Sequence, residues 1–252
     1  MKIVLLTAIG VGGATVIGAL FGFAIKKPSH KFNDIILSFA AGIMLCAAVF
    51  GLIQESMSFG GEFRLLITVA GVLCGAVCLN LIDRLVPHLH GLSGENEETH
   101  PQNTEKLNKV LLFILAIAIH NLPEGIAAGV GFGTGNNSEA ISIAGGIALQ
   151  NIPEGMVIIA PMLAVGMSKT KAFLIAFATG VVEVVGTLIG YFAVSISAAI
   201  LPFALAFAGG TMLYVISDEM IPETHAHGHE RGATYSLLIG FCVMLIFDTL
   251  IG

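Results

Sequence analysis

The stretch IILSFAAGIMLCAAVFGLI, residues 35–53, contains no charged side chain. A second uncharged stretch, LLITVAGVLCGAVCLNLI, covers residues 65–82. Each is close to the roughly 20 helical residues needed to cross the apolar core of a bilayer. Neither shows the alternation of apolar and polar residues that a strand of a membrane β-barrel shows. These two stretches therefore predict an all-α protein embedded in a membrane.

The composition of the whole chain agrees with this class. Of the 252 residues, 56% are hydrophobic and only 11% are charged, and the mean hydropathy is +0.92. Soluble domains carry about 25% charged residues. The pattern predicts a single transmembrane domain over residues 1–252 with eight membrane-spanning helices, at 3–25, 35–57, 63–83, 108–131, 139–166, 172–197, 200–218 and 233–251. The first is interpreted as a retained helix because it is long and has no small-residue cleavage site.

The basic residues predict the orientation of the chain. The side of the membrane that holds the loops after spans 1, 3, 5 and 7 carries nine of the eleven lysines and arginines, which leaves only Lys2 and Arg64 on the other side. The positive-inside rule puts these four loops in the cytoplasm and both termini outside. Two of them are longer, at about 84–107 and about 219–232. Since the basic residues flank the spans, nothing supports a nucleic-acid partner. The short loops and small size indicate a bacterial inner membrane.

Two near-repeats place ionisable residues inside the predicted spans. HNLPEG occupies residues 120–125 and QNIPEG occupies residues 150–155, in consecutive spans, and Glu183 lies in the next span. A carboxylate within the hydrocarbon layer is costly unless it is paired or neutralised. No lysine or arginine lies in the interior of any span, away from its ends, to compensate these glutamates. Their grouping therefore predicts a site for a divalent cation.

Helical spacing gives the geometry of this site. Residues three or four apart on a helix are neighbours, so Glu124 lies on the face between His120 and Asn121. The second motif repeats this arrangement with Gln150, Asn151 and Glu154. If the two helices face each other, both glutamates can bridge adjacent cations. The motifs thus predict a two-metal cluster, or two alternative positions for one metal.

The ligand types narrow the choice of metal. The set contains one imidazole, carboxylates and amides, and it contains no thiolate. These ligands suit borderline divalent ions such as Zn²⁺, Fe²⁺, Mn²⁺, Co²⁺ and Cd²⁺, and they argue against Cu(I). Without a cation, at least one carboxylate is expected to hold a proton, because like charges in a low dielectric cannot all ionise.

The motif prolines and glycines carry two further expectations. Pro123 and Pro153 have no N–H, so the carbonyls of Ile119 and Leu149 lose their helical partners. At membrane depth such carbonyls need a neighbouring helix, a water or an ion, and broken helices of this kind are used by transporters. The glycine that ends each motif is expected to add local freedom.

HNLPEG and QNIPEG in adjacent spans, with a glutamate in the next span, resemble the ZIP family of divalent metal transporters. The glutamine of QNIPEG is most similar to the GufA-like prokaryotic branch. The resemblance implies eight helices, with an inverted three-helix repeat of spans 1–3 and 6–8 around spans 4 and 5. It also implies that Zn²⁺ is the transported substrate and not a cofactor, and that transport runs toward the cytoplasm by an elevator-type motion.

The resemblance also assigns residues. It implies a primary metal site formed by His120, Glu124, Gln150 and Glu154. It implies a second site that shares the two glutamates and is completed by Asn121, Asn151 and Glu183. Met44 of span 2 matches a methionine that can approach the primary site. Some relatives have aspartate where Asn151 stands, so the second site of this chain is less anionic.

Several polar residues beyond the motifs are weaker candidates. The end of span 7 and the loop after it are interpreted as a transient cytosolic metal relay or sensor, with Asp218, Glu219, His225, His227, His229 and Glu230. A solvated polar loop is the alternative there, and it is the favoured interpretation for His88, His90 and His100. The four cysteines, Cys46, Cys74, Cys78 and Cys242, are interpreted as buried apolar side chains rather than as a disulfide framework.

Other functions have less support from the sequence. An intramembrane metalloprotease would carry H-E-x-x-H, whereas here His120 is followed by asparagine and the glutamate comes four residues later. The chain is therefore predicted not to be an enzyme. A metal-selective channel stays as an alternative to a carrier, because sequence does not separate the two. A homodimer also stays as an alternative to a monomer.

Overall fold

The computed structural model describes residues 1–25, 29–59, 61–85 and 102–251. Most of the loop predicted at 84–107, including His88, His90 and His100, lies outside these residues. The helices are α1 Lys2–Ala24, α2 His30–Cys46, α3 Glu55–Phe59, α4 Arg64–Leu85, α5 Gln102–Gly131, α6 Asn137–Ala164, α7 Lys169–Ile196, α8 Leu201–Val215, α9 Ile221–Thr224 and α10 Glu230–Ile251. π-Helical turns at Ala47–Gln54 and Ile216–Met220 join α2 to α3 and α8 to α9.

These elements form eight long helical units, as the sequence predicts. Within the described residues, seven of the units are long and apolar enough to cross a membrane. The eighth is α5, whose 30 residues include the first motif and correspond to a length of about 45 Å. The prediction of an all-helical, polytopic membrane protein is confirmed.

The helices pack as two bundles. The first, called the motif bundle below, contains α1, α5, α6 and α7, with α1 against α6 and α7, and α5 against α7. The second, called the framework bundle, contains α2, α4, α8 and α10, with α4 against α8 and α2 against α10. The two bundles meet mainly where α6 contacts α2 and α10 and where α5 contacts α8. This pairing is compatible with the inverted repeat, which itself stays a prediction.

Glycines make the packing within each bundle very close. In the motif bundle, a Cβ on Gly18 would collide with the backbone of Ile152, and one on Gly129 would collide with the backbone of Thr187. In the framework bundle, Gly42 lies in the same way against the backbone of Leu237. Because lipid gives helices no hydrophobic drive to associate, such small residues let their backbones approach. Each bundle is therefore held together by direct contact between helix backbones.

The contact between the bundles is of a different kind. Gly145 and Gly146 of α6 face the side chains of Phe247 and Met244 of α10. Gly51, in the π-helical turn after α2, faces the side chain of Ile143. Side chains can change rotamer, whereas a backbone held against another backbone cannot move without separating the helices. The boundary between the bundles is thus more adaptable than the interior of either.

Two details differ from the sequence predictions. The seventh unit continues as a helix to Thr224, six residues beyond the predicted end of span 7 at Asp218 and into the predicted loop at 219–232. The apolar stretch of the sequence ends at Asp218, but the backbone keeps its helical hydrogen bonding beyond that residue. In addition, Cys74 and Cys242 are exposed on the outside of the helices, while Cys46 is buried. The interpretation of all four cysteines as buried residues was wrong, because the outer face of a membrane helix is apolar without being covered by protein.

Candidate metal centre

The two motifs lie on α5 and α6, which are neighbours in the motif bundle. Most of their polar side chains are buried: Glu124 is 1% exposed and His120 is 7% exposed, and Gln150 and Asn151 are fully covered. Glu154 is partly exposed. Polar groups this deeply buried are unusual unless they are paired or bind an ion. The set His120, Glu124, Gln150 and Glu154 is called the primary cluster below.

The primary cluster contains buried atoms that make no hydrogen bond of ordinary geometry. In the part of the chain that the structure describes, these include both carboxylate oxygens of Glu124 and both polar amide atoms of Gln150. Most buried polar side-chain atoms in proteins have a partner, and leaving one without costs about 1–3 kcal/mol. Such atoms, side by side, provide the ligand positions that a cation would fill.

The charges around Glu124 also favour a cation. Glu154 and Glu183 both lie within electrostatic range of Glu124, and Glu154 lies within range of His120. Three carboxylates in a low-dielectric interior repel one another strongly. Since lysine and arginine occur only near the ends of the spans, protons or a metal ion must compensate them. A divalent cation does so with the ligands already present.

Glu183 lies among the residues of the predicted second site, and its role as a metal ligand stays a prediction. Its carboxylate is fully buried and accepts hydrogen bonds from Thr15 Oγ1 at 2.8 Å, from Asn151 Nδ2 at 2.8 Å and from Asn121 Nδ2. The structure brings the predicted second-site residues together. However, the asparagines direct their N–H groups at Glu183, and their Oδ1 atoms have no hydrogen-bond partner among the described residues. Glu183 in this arrangement positions the asparagines.

The motif glycines bring neighbouring helices into contact. A Cβ on Gly125 would collide with the backbone of Glu183, and a Cβ on Gly155 would collide with the carbonyl oxygen of Thr15. The expectation that these glycines add local freedom was wrong. Both have a right-handed helical backbone, and what they provide is the close approach of the two helices that supply Glu183 and Thr15.

The motif prolines do not break their helices. Helix α5 runs without interruption through Pro123, and α6 runs through Pro153. The expectation of broken helices is therefore not met at these two positions. The interruptions in the helical pattern occur instead at the two π-helical turns of the framework bundle. Such turns are frequent at functional sites.

Glu219, which sequence analysis grouped with the cytosolic candidates, contacts a residue of the first motif. It lies in the π-helical turn Ile216–Met220, and its Oε1 is 2.9 Å from Nε2 of His120. Glu219 therefore contacts the primary cluster, whereas the adjacent Asp218 is exposed. No sequence signal paired span 7 with His120. The contact also means that the framework bundle supplies one carboxylate to a cluster otherwise built by the motif bundle.

Met44 lies near α6. It is fully buried in an apolar cluster whose members include Ala144 and Ile147. Ile147 is one helical turn before Gln150. This position agrees with the expected approach of span 2 to the primary cluster, while ligation by Met44 stays a prediction.

The predicted cytosolic metal ligands that follow α9 do not share one environment. His225 is fixed by contacts of Nδ1 to the Ile221 carbonyl oxygen at 2.9 Å and of Nε2 to Thr234 Oγ1 at 3.2 Å. Both of its ring nitrogens are thus engaged in closing the helix end. His227 contacts Asp34 of α2. Glu230 is exposed at the first residue of α10 and His229 is partly buried before it. These residues do not form one relay with Glu219.

The described residues do not already form a complete set of ligands around one ion position. Among the described residues, no three histidine, cysteine, aspartate or glutamate side chains surround a single ion position. In the primary cluster the fourth ligand is an amide, and His120 is held by Glu219. Binding of a cation would therefore require small side-chain rotations that draw the cluster together.

Comparisons with known proteins agree with this site. A family model described as ZIP Zinc transporter matches residues 90–248. The chain is 41% identical to "Zinc transporter GufA" of Myxococcus xanthus over 98% of both chains. It is 37% identical to "Zinc transporter ZIPB" of Bordetella bronchiseptica, over 95% of this chain and 78% of that protein. It is also 28% identical to "Zinc transporter ZIP11" of Homo sapiens, over 95% of this chain and 94% of that protein.

Proposed function

Because this chain belongs to the ZIP zinc transporter family, we propose that it moves Zn²⁺ across the membrane through the primary cluster. A member of this family is a multi-pass membrane transporter and not an enzyme, which removes the metalloprotease alternative. The observation that carries the proposal is the group of buried polar atoms on Glu124 and Gln150, which have at most one another as hydrogen-bond partners among the described residues. A divalent cation gives these atoms a partner and compensates the neighbouring carboxylates.

The proposed substrate range follows from the ligands. Zn²⁺ accepts imidazole nitrogen and carboxylate oxygen, and Cd²⁺, Co²⁺, Fe²⁺ and Mn²⁺ can use the same ligands with different affinities. A second cation position would lie beside Glu183 and share Glu124 and Glu154 with the first. Because Glu183 already accepts three hydrogen bonds, a cation there needs the asparagine amides to turn. The second position is therefore proposed to bind more weakly than the primary cluster.

The two bundles favour a carrier over a channel. The primary cluster lies wholly on α5 and α6, inside a bundle whose helix backbones touch. The framework bundle reaches it through Glu219 and meets it across side chains. A motion of the motif bundle along the framework bundle would move the bound ion without breaking either bundle. Such a motion gives alternating access, in which the ion is never open to both sides.

An apolar groove marks the same boundary. It has a volume of about 420 Å³, is open on one side, and lies between α4, α5, α7 and α8, with Leu79, Leu122 and Phe207 in its lining. The two bundles are therefore not closely packed against each other at this place. Transport is proposed to run toward the cytoplasm of a bacterial inner membrane, with both termini outside. A homodimer stays an alternative to a monomer.

Uptake by proteoliposomes tests this function. Purified protein in liposomes is expected to take up radiolabelled Zn²⁺ at a rate that saturates with concentration, above the rate of protein-free liposomes. Cd²⁺ and Fe²⁺ in excess are expected to compete. Uptake that rises linearly with concentration over a wide range would favour a channel, and the absence of uptake would contradict metal transport altogether.

The contact between Glu219 and His120 gives a first prediction. We propose that Zn²⁺ binds the same ring nitrogen that Glu219 contacts, so the carboxylate competes with the metal. Glu219→Gln is then expected to lower the KM for Zn²⁺ by about fivefold, equivalent to about 1 kcal/mol. The exposed Glu62→Gln is the matched control. A raised KM in Glu219→Gln would show instead that Glu219 is a ligand of the transported ion.

Asn151 gives a second prediction. Its Nδ2 donates to Glu183 at 2.8 Å and to the Val11 carbonyl oxygen at 3.2 Å, so Asn151→Asp would place a carboxylate against two oxygen acceptors. Without metal this variant is expected to unfold at a lower temperature than the wild-type protein. Added Zn²⁺ is expected to raise its unfolding temperature by more than that of the wild type, because the new carboxylate completes the second position.

Thermal unfolding in detergent, with and without Zn²⁺, measures both effects. Asn137→Asp, at the exposed first residue of the same helix, is the matched control and is expected to behave as the wild type. An equal Zn²⁺-induced shift in Asn151→Asp and in the wild type would argue against a second cation position beside Glu183.

A further inference from the structure

A group of ionisable side chains lies apart from the primary cluster, where α2 begins. His30 is the first residue of α2 and Asp34 follows four residues later, so the two lie on one face of the helix. Ser29 caps this helix, because its Oγ accepts a hydrogen bond from the Phe32 N–H at 3.1 Å. The cap fixes the start of the helix and hence the position of His30. Sequence analysis began this span at residue 35 and missed both residues.

A histidine from the far end of the chain joins this pair. Nδ1 of His227 is 3.0 Å from Oδ1 of Asp34, and its ring stacks on that of His30 with 4.6 Å between the ring centroids. His227 belongs to the short segment between α9 and α10. Gly228, the next residue, has a φ of 81°, a left-handed conformation that favours glycine. The turn at Gly228 lets the segment reverse and places His227 over α2.

Asp34 is the unusual member of the group. Its residue is only 2% exposed, and its second carboxylate oxygen, Oδ2, has no hydrogen-bond partner in the described part of the chain. His30 and His227 are exposed, so an ion can reach the group from solution. A buried carboxylate beside two accessible imidazoles is a favourable ligand set for a borderline divalent ion such as Zn²⁺.

We propose that His30, Asp34 and His227 form an accessory site for a divalent cation of the Zn²⁺ class. The cation replaces the proton of the hydrogen bond between Asp34 and His227 and so binds Oδ1 of Asp34 and Nδ1 of His227. Its other protein ligands are Oδ2 of Asp34 and a ring nitrogen of His30. The stacked rings must rotate for this, because no three such side chains among the described residues already surround one ion position.

The position of this accessory site suggests its use. It joins the start of α2 to the segment that follows α9, and α9 continues directly from the π-helical turn that carries Glu219. The loops after spans 1 and 7 are both predicted to be cytoplasmic, and the structure places His30 and Asp34 beside His227. The accessory site would thus bind metal on the side where transported Zn²⁺ arrives. This inference goes beyond transport and does not require the primary cluster to be the transport path.

Zinc titration of the full-length protein tests the proposal. The background is the double variant Glu124→Gln, Glu154→Gln, which removes the main ligands of the primary cluster. By isothermal titration calorimetry with Zn²⁺ alone, this background is expected to keep one zinc. Adding His30→Ala or His227→Ala is expected to weaken that binding by at least about tenfold. His229→Ala, a histidine of the same segment that makes no contact with Asp34, is expected to leave it unchanged.

Three outcomes would overturn the proposal. The first is a background protein that binds no zinc. The second is binding that survives both His30→Ala and His227→Ala, which would indicate adventitious zinc elsewhere. The third is an equal loss in His229→Ala, which would indicate a histidine-rich loop that chelates zinc without Asp34. His30 is exposed at a helix start, so His30→Ala is expected to fold. Failure of Zn²⁺ uptake would leave this titration unaffected, so the two proposals fail separately.

Discussion

Replacing Glu124 and Glu154 together with glutamine is expected to reduce Zn²⁺ uptake to the rate of protein-free liposomes. The double substitution keeps the size of the side chains and removes the two carboxylates that the primary cluster offers to the ion. With neutral amides in their place, a doubly charged ion would be desolvated in a low-dielectric interior with only Glu183, which already accepts three hydrogen bonds, and Glu219, which contacts His120, left nearby. The measurement is radiolabelled Zn²⁺ uptake at saturating concentration.

The same variant separates loss of transport from loss of folding. In the metal-free protein the buried glutamates repel one another, so their replacement is expected to leave the unfolding temperature unchanged or to raise it. The exposed Glu62→Gln serves as the control and is expected to transport as the wild type. Substantial saturable uptake by the double variant, in protein that unfolds normally, would remove the primary cluster from the transport path.

Replacing Gly155 with alanine is expected to abolish uptake by disturbing helix packing and not by removing a metal ligand. The added Cβ would collide with the carbonyl oxygen of Thr15 and lie 3.0 Å from the backbone nitrogen of Ala19. Neither atom can move unless α1 separates from α6. The separation also withdraws the Thr15 hydroxyl that donates to Glu183. Overpacking of this kind costs about 1–3 kcal/mol and sometimes more, so we expect a destabilisation of about 2 kcal/mol or more.

Gly13→Ala provides the matched control for this glycine. Gly13 lies on α1 as well, but an added Cβ there would meet no atom within 4 Å. Alanine is the better helix former by about 1 kcal/mol, so this variant is expected to fold at least as well as the wild type. Thermal unfolding and Zn²⁺ uptake of both variants check the prediction. If Gly155→Ala unfolds and transports as Gly13→Ala does, the close approach of α1 and α6 is not required.

The sequence was sufficient for those features that depend on local pattern. Uncharged stretches gave the eight helical units, because spanning a bilayer demands about 20 apolar residues whatever the rest of the chain does. The i,i+4 spacing placed His120 and Glu124 on one face. The absence of interior lysine and arginine indicated that the glutamates need a cation. These inferences required no knowledge of how the helices pack.

The features that sequence did not provide all depend on contacts between distant segments. Sequence analysis grouped Glu219 with the cytosolic candidates at the end of span 7, but a π-helical turn places its carboxylate against His120. It did not foresee that Thr15 and two asparagines donate hydrogen bonds to Glu183, whose role as a ligand of the second site stays a prediction. Gly155 was expected to loosen the helix, but it brings α1 close. In each case the residue's own helix does not reveal its partner on another helix.

The most direct test of the central claim is to locate the metal. Crystals of the wild-type protein grown with Zn²⁺ should be measured on both sides of the zinc absorption edge. We predict an anomalous difference peak inside the motif bundle, about 2.0–2.2 Å from a ring nitrogen of His120 and from carboxylate oxygens of Glu124 and Glu154. Zinc peaks found only elsewhere, with the primary cluster empty in a protein that still takes up Zn²⁺, would contradict the account.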